Sequence, residues 1–215
     1  QMARDKRLSY SNVMREVSKD VEGKQVSSTS SPTNYSTMYC ISRSCTRSGI
    51  VVDGVASGGD PRLSVFWCVL GEPSIGCYVP YFVAAKGVSY LAWADKMVGG
   101  VPIDQDDASF LCLAEDARET YNNLLYRSNR GTTLQGMFDN YINKVELGLV
   151  QEWTFAIEDT VLEQTEAFLG NLRAKTTLIS ADNLRSFSDY SAEYTYRNYI
   201  AGSESAVSWS YPLPN

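Results

Sequence analysis

The segment from Thr46 to Ala84 constrains the fold more than any other part of the chain. It holds three apolar runs rich in Val, Ile, Phe, Trp and Tyr, a composition typical of strands on a half-buried sheet. Short turn sequences, Ser-Gly-Gly-Asp-Pro and Gly-Glu-Pro-Ser, separate the runs. The pattern therefore predicts three consecutive antiparallel strands, over Gly49–Val55, Ser64–Leu70 and Cys77–Ala84.

Alternation along the second run predicts which of its side chains enter the core. Trp67 shares one face with Val65 and Val69, because successive residues of a strand point to opposite sides. We expect this face to need a second layer of protein, and to be open to water in part if the 215 residues stood alone.

Helical spacing dominates the rest of the chain. The pattern predicts a first helix over 9–21 with Ser9 or Ser11 as its cap, and a long helix from Thr132 to Lys175. The charged residues of the long helix, Glu158 among them, are expected on its solvated face. A further helix is predicted over Ala181–Tyr199 with Ser180 as its cap, with Leu184, Phe187, Tyr190, Tyr194 and Ile200 packing on the long helix.

Weaker patterns complete the layout. Met38–Ile41 reads as a short strand, Ser109–Tyr121 as a helix, and Tyr121–Arg127 as either a helix or a strand. Gly202–Asn215, which contains Trp209 and two prolines, is predicted to be extended on the surface. The fold class is α+β, either one domain over 1–215 or the C-terminal portion of one. It is rich in strands over 36–85, helical over 105–200 and extended over 201–215.

Composition excludes several classes of function. The chain has no histidine, which removes Ser-His-Asp and Cys-His nucleophile systems and histidine-ligated metal sites. A net charge of −6 with scattered basic residues argues against nucleic-acid binding. No apolar run approaches the roughly 20 residues of a membrane helix. Neither a cofactor nor a metal site is predicted. The Asp104, Asp106 and Asp107 cluster reads better as a helix start than as a calcium loop.

The five cysteines show no metal-binding spacing. Cys68 and Cys77 lie in predicted strands and read as buried small apolar residues. Cys40 and Cys45 flank a polar loop, and a disulfide between them is one alternative.

The order of motifs in this segment resembles a family of bacterial N-terminal-nucleophile hydrolases. Thr-Arg-Ser precedes an apolar strand, an Asp-Pro turn follows, and a Trp strand leads through Leu-Gly-Glu-Pro to a Val-Pro strand, within Thr46–Pro80. These hydrolases are relatives of acyl-coenzyme A:6-aminopenicillanic acid acyltransferase and, more distantly, of penicillin V acylase and bile-salt hydrolase. The resemblance implies a share of a four-layer αββα sandwich, and cleavage or transfer at a linear, non-peptide amide through an acyl-enzyme. It slightly favours a secreted or periplasmic location.

The resemblance implies that the nucleophile is not among these residues. Such enzymes use an N-terminal Cys, Ser or Thr whose own amine is the base, but position 1 is Gln. Either the chain is the C-terminal portion of a precursor, with the upstream segment or an oligomeric partner as companion, or catalysis has been lost. Alone, the chain is expected to be inactive.

The resemblance implies a polar site residue just before the first strand, and Arg47 is therefore the first candidate for binding a small amide substrate. A guanidinium there could hold a carboxylate or stabilise developing negative charge. Arg43 is the second, with Ser48 as a hydrogen-bond partner. The competing interpretation is an ordinary surface arginine. The competing function is a non-catalytic α+β binding or assembly module whose long helix mediates contacts.

Overall fold

A computed structural model describes residues 9–19, 34–36, 41–42, 46, 48–92, 97–98, 101–102, 141–175 and 177–209. The strands are β1 (Asn34–Ser36), β2 (Ser48–Asp53), β3 (Val65–Leu70), β4 (Val79–Phe82), β5 (Met97–Val98), β6 (Val101–Pro102) and β7 (Tyr141–Asn143). The helices are α1 (Tyr10–Asn12, continued as a π-helix over Val13–Val17), α2 (Lys144–Arg173) and α3 (Ala181–Trp209).

The predicted three-stranded sheet is confirmed. The strands pair antiparallel in the order β2-β3-β4. In this register Val51 lies opposite Trp67, and Trp67 lies opposite Pro80. Two smaller antiparallel pairs, β1-β7 and β5-β6, lie outside this sheet. The architecture is therefore mixed α+β, with one small sheet packed against helices.

The two predicted turns are present, and each uses a glycine. Gly58 has a φ of 81° and Gly71 a φ of 91°, in the left-handed region that favours glycine. The Asp60 carboxylate accepts a hydrogen bond from the Arg62 backbone N–H and so caps a short 3₁₀ turn over Pro61–Leu63. Local chemistry thus fixes both sharp reversals between the strands.

One face of the sheet, called here the inner face, is fully buried along β3 and β4. Val65, Trp67 and Val69 point toward it, as predicted, and at most 1% of any of these residues is exposed. They pack in one cluster with apolar side chains of the helices, namely Met14, Val161, Leu169, Leu172 and Leu184. The expectation that this face would be partly open to water is therefore wrong, because helices of the same chain cover it.

The helix caps at Ser9 and Ser180 are confirmed, whereas several helix boundaries differ from the prediction. The first helix, predicted over 9–21, ends at Val17. The Ser9 hydroxyl accepts a hydrogen bond from the Asn12 N–H, and the Ser180 hydroxyl accepts one from the Asn183 N–H. The long helix begins at Lys144, after β7, and not at Thr132. The pairing of β7 with β1 overrides the helical spacing there, and residues 132–140 lie outside the described part of the chain.

Helix α3 runs ten residues further than predicted, so the expectation of an extended tail is wrong for 202–209. Residues 210–215 are not described. Leu184, Phe187 and Tyr194 belong to the inner core as expected, but Tyr190 is exposed. None of the described helices combines the length and the apolar character needed to cross a membrane.

Several predictions fall on residues outside the described ranges. They are the helix start at Asp104, Asp106 and Asp107, the helix over Ser109–Tyr121, the segment Tyr121–Arg127, and the pair Cys40 and Cys45. Of the strand predicted over Met38–Ile41, only Ile41 is described, and it lies in a bend.

Candidate apolar binding site

The second face of the sheet, called here the outer face, is apolar but only partly covered. Two cross-strand rows run over it: Val52–Phe66–Tyr81 and Ile50–Cys68–Val79. Burial falls steadily from β4 to β2. Val79 and Tyr81 are buried, Phe66 and Cys68 are half-buried, and Ile50 and Val52 are 55% and 61% exposed.

A wall of side chains rises beside β4 and causes this gradient. Leu91 and Ala92, in the 3₁₀ turn Tyr90–Ala92, pack with Ala192 and Tyr196 of α3. The same cluster includes Val79 and Tyr81. The outer face is therefore covered by this wall beside β4 and exposed to solvent at β2.

A cavity of about 200 Å³ lies where the outer face of β3 and β4 meets this wall. Its lining is made by alternate residues of β3 and β4, by Cys77 just before β4, and by the connection that follows β4. The lining residues are Phe66, Cys68, Leu70, Cys77, Val79, Tyr81, Val88 and Ala92. A concave site walled by aliphatic and aromatic side chains suits an apolar ligand group.

Electrostatically the cavity is neutral. None of the eight lining side chains is charged at neutral pH. Both cysteines are free, and burial raises the pKa of the Cys68 thiol to about 11. Burial, with the nearby Glu158 carboxylate, also raises the pKa of the Cys77 thiol. Both sulfurs are therefore held as thiols, which are poor nucleophiles. Cys77 is buried as predicted, whereas Cys68 is half-buried.

Of the three residues predicted to bind substrate, the structure describes only Ser48. It is exposed at the start of β2, directly opposite the cavity residue Leu70. Arg43 and Arg47 lie outside the described residues. The structure therefore does not test whether these three side chains lie together.

A second constellation lies between α1 and α2, next to the turn that carries Gly76 and Cys77. The Lys19 ammonium is 2.8 Å from a Glu158 carboxylate oxygen and donates to the Gly76 carbonyl at 2.7 Å. The same Glu158 oxygen accepts the Tyr78 backbone N–H at 2.8 Å. Only 2% of Lys19 and 1% of Glu158 is exposed. The pair is closed to ligands and joins α1, α2 and the turn before β4.

Arginine at position 15 extends this constellation toward the surface. Its guanidinium lies 2.6 Å from Asp159 and 3.6 Å from Glu158, and it stacks over the Phe155 ring at 5.0 Å. The Lys19 ammonium lies 5.0 Å from the centre of the same ring. These contacts replace part of the hydration that the buried charges lose.

The expectation that Glu158 faces solvent is wrong, and a signal in the sequence could have corrected it. Counting apolar residues alone leaves Glu158 off the buried stripe of α2. With the buried threonines included, the stripe follows three-and-four spacing through Glu158: Val150, Thr154, Glu158, Val161, Thr165, Leu169 and Leu172. Its partner Lys19 carries no such signal, because the packing of α1 against α2 is a long-range contact.

Within the described residues, no group of three or more acidic or cysteine side chains is placed to hold a metal ion. No protein-family model, no curated protein and no solved structure matches the chain.

Proposed function

We propose that the outer face of the sheet is a binding site for a small molecule with an apolar group, which enters the cavity beside β4. The observation that carries this proposal is the cavity itself, which has a volume of about 200 Å³ and is lined by eight uncharged side chains. Among the functions weighed from the sequence, this is nearest to the non-catalytic binding module, but that alternative placed the contacts on the long helix and not on the sheet.

The lining defines what the site would select. Transfer of a charged group into an apolar cavity without a partner costs several kcal/mol. Burying a methylene contributes about 0.8 kcal/mol. Neutral aliphatic or aromatic groups are therefore preferred over ionised ones of equal size. The thiols of Cys68 and Cys77 add polarisable contacts without adding charge.

Calorimetric titration with hexan-1-ol tests the proposal. The wild-type protein is expected to bind the alcohol, and to bind hexylammonium at least tenfold more weakly. Cys68→Leu and Ala92→Leu each add side-chain volume to the cavity and should weaken binding of the alcohol by about tenfold or more.

Leu178→Phe is the matched control, because Leu178 is exposed and lies outside the cavity lining. Circular dichroism melts identify any variant that fails to fold. A wild-type protein that binds no alcohol, or filled variants that bind it as well as the control does, would refute the proposal.

A second candidate is the amide hydrolase or acyltransferase implied by the resemblance. What favours it is that the segment carrying the resemblance forms one sheet, beside a cavity suited to the apolar part of an amide. In this candidate the sheet and its helices belong to an αββα sandwich, and an upstream segment or an oligomeric partner supplies the nucleophile. Arg47, Arg43 and Ser48 would contact the substrate.

Activity of the complete translation product on penicillin V tests this candidate. Arg47→Ala in that product is expected to lower kcat/KM by the equivalent of about 1–3 kcal/mol, the range for a charge-assisted hydrogen bond. Hydrolysis that does not depend on Arg47 would remove this residue from the site. Complete absence of hydrolysis would leave the binding function alone.

A further inference from the structure

We propose that the ligand is an unbranched alkyl chain, longer than the cavity, that continues from it across the outer face and covers Ile50 and Val52. This inference rests on the proposed function and adds the shape of the ligand. It explains why two large β-branched side chains on the same face are left in water beside a cavity that does not include them.

The path from the cavity to these residues is continuous. Phe66 and Cys68 line the cavity and are also the middle members of the two cross-strand rows. Each is paired directly with an exposed residue of β2, Phe66 with Val52 and Cys68 with Ile50. Neighbouring strands are only about 4.8 Å apart, so among the described residues of these strands no polar side chain separates the cavity from Ile50 and Val52.

The wall beside β4 disfavours a second sheet stacked over this face and leaves room for a narrow chain. A sheet packed face to face would lie about 10 Å above this one and would extend over all three strands. The space above β4 is already occupied by Leu91, Ala192 and Tyr196. A single chain of methylene groups fits beside that wall, because it needs only the outer face of β2 and β3.

The polar part of the ligand has a defined exit. In the outer-face rows of the three strands, Ser48 is the one polar side chain apart from the Tyr81 hydroxyl and the thiols, and it is exposed at the start of β2. A head group that emerges beyond β2 reaches water directly. The chain alone would therefore determine affinity, and the head group would contribute little.

Binding of the primary alcohols from butan-1-ol to decan-1-ol tests the length of the ligand. Calorimetric titrations are made below the solubility limit of each alcohol. Affinity is expected to rise about fourfold per added methylene, the equivalent of about 0.8 kcal/mol, through the whole series. The double variant Ile50→Thr/Val52→Thr keeps β-branched side chains on β2. It should weaken binding of decan-1-ol by about tenfold and leave butan-1-ol unchanged.

Leu178→Thr is the control for exposed apolar area elsewhere. If affinity stops rising in mid-series and the double variant binds every alcohol normally, the ligand is confined to the cavity. The proposed function then survives and this inference fails. If no alcohol binds, both fail. Sedimentation velocity supplies the remaining outcome: self-association that the double variant abolishes would show that a second copy covers the face, and would overturn the inference.

Discussion

The two faces of the small sheet contrast within a single strand. In β3 the inward residues Val65, Trp67 and Val69 are completely buried under helices, whereas the outward residues Phe66, Cys68 and Leu70 are only half-buried. An antiparallel strand with one face in water normally alternates apolar and polar residues. Since β3 is apolar at every position, burial would be favourable on both of its faces, but only the inner face is fully buried.

The contrast extends to charge. The inner side holds a buried ion pair, that of Lys19 with Glu158. The outer cavity has no charged lining residue at all. Buried pairs fix how α1 sits against α2 at a cost in desolvation, whereas the uncharged cavity can exchange water for an apolar group. This contrast supports the proposal that the inner face stabilises the fold and that the outer face binds a ligand.

Removing the buried cation should have the largest effect. Lys19→Met leaves the Glu158 carboxylate buried without its closest cation and is expected to lower the free energy of unfolding by about 3–5 kcal/mol. Urea denaturation measures this loss. The exposed Lys86→Met is the matched control and should change stability by less than about 0.5 kcal/mol.

The double variant Lys19→Met/Glu158→Gln sharpens this test. Its amide oxygen can still accept the Tyr78 N–H, while no unpaired charge remains, so part of the lost stability should return. A loss below about 1 kcal/mol in the single variant would show that the pair is hydrated, and the proposed contrast in charge between the faces would fail.

Thiol labelling probes the outer face. With its pKa at about 11 against an ordinary 9.0, Cys68 should carry about a hundredfold less thiolate near pH 8 than an unperturbed cysteine. Iodoacetamide labelling, mapped by mass spectrometry, should accelerate as the pH rises toward 11. Saturating hexan-1-ol should slow it. Rapid labelling at pH 7 that the alcohol does not affect would place this thiol in open water.

Substitutions of two neighbouring valines in β2 compare how much each face of the sheet contributes to stability. Val51 points inward and is buried, and Val52 points outward. Val51→Ala removes two buried carbon atoms and should cost about 2 kcal/mol of stability. Val52→Ala should cost less than about 0.5 kcal/mol without ligand. Urea denaturation of both variants provides the measurement, and equal losses would mean that the outer face is also covered.

Much of this sheet could be predicted from the sequence because its determinants are local. Alternation placed Trp67 on the buried face, and Gly58 and Gly71 marked turns that need a left-handed residue. The caps Ser9 and Ser180 were readable for the same reason, since each bonds a backbone N–H three residues away.

The cavity and the buried pair depend on contacts between distant segments, and no local pattern predicts them. Ala192 of α3 reaches the outer side of β4, which the spacing within α3 does not reveal. Lys19 meets Glu158 across 139 positions of the chain. The resemblance drew attention to Arg47 and not to the cavity, because sequence motifs report the strands but not what packs beside them.

The end of β2 provides the smallest and most specific test, because there the inner face meets water. Burial, and then the nearby Glu166 carboxylate, raise the pKa of Asp53, while Arg173 opposes them. The folded state therefore holds the Asp53 proton more tightly than the unfolded state, whose pKa is near 3.8. Stability from this group is complete below pH 3.8 and is lost as the pH rises through the folded pKa. Asp53→Asn should consequently be more stable than the wild type at pH 7, and this advantage should shrink as the pH falls below 4. Urea denaturation between pH 3.5 and 7 measures the difference.

Asp182→Asn is a contrasting control, since a negative charge in the first turn of α3 is favourable and its removal should destabilise. An Asp53→Asn variant that loses stability at pH 7 would show that the Asp53 charge is stabilised there, and that the inner face ends before this residue.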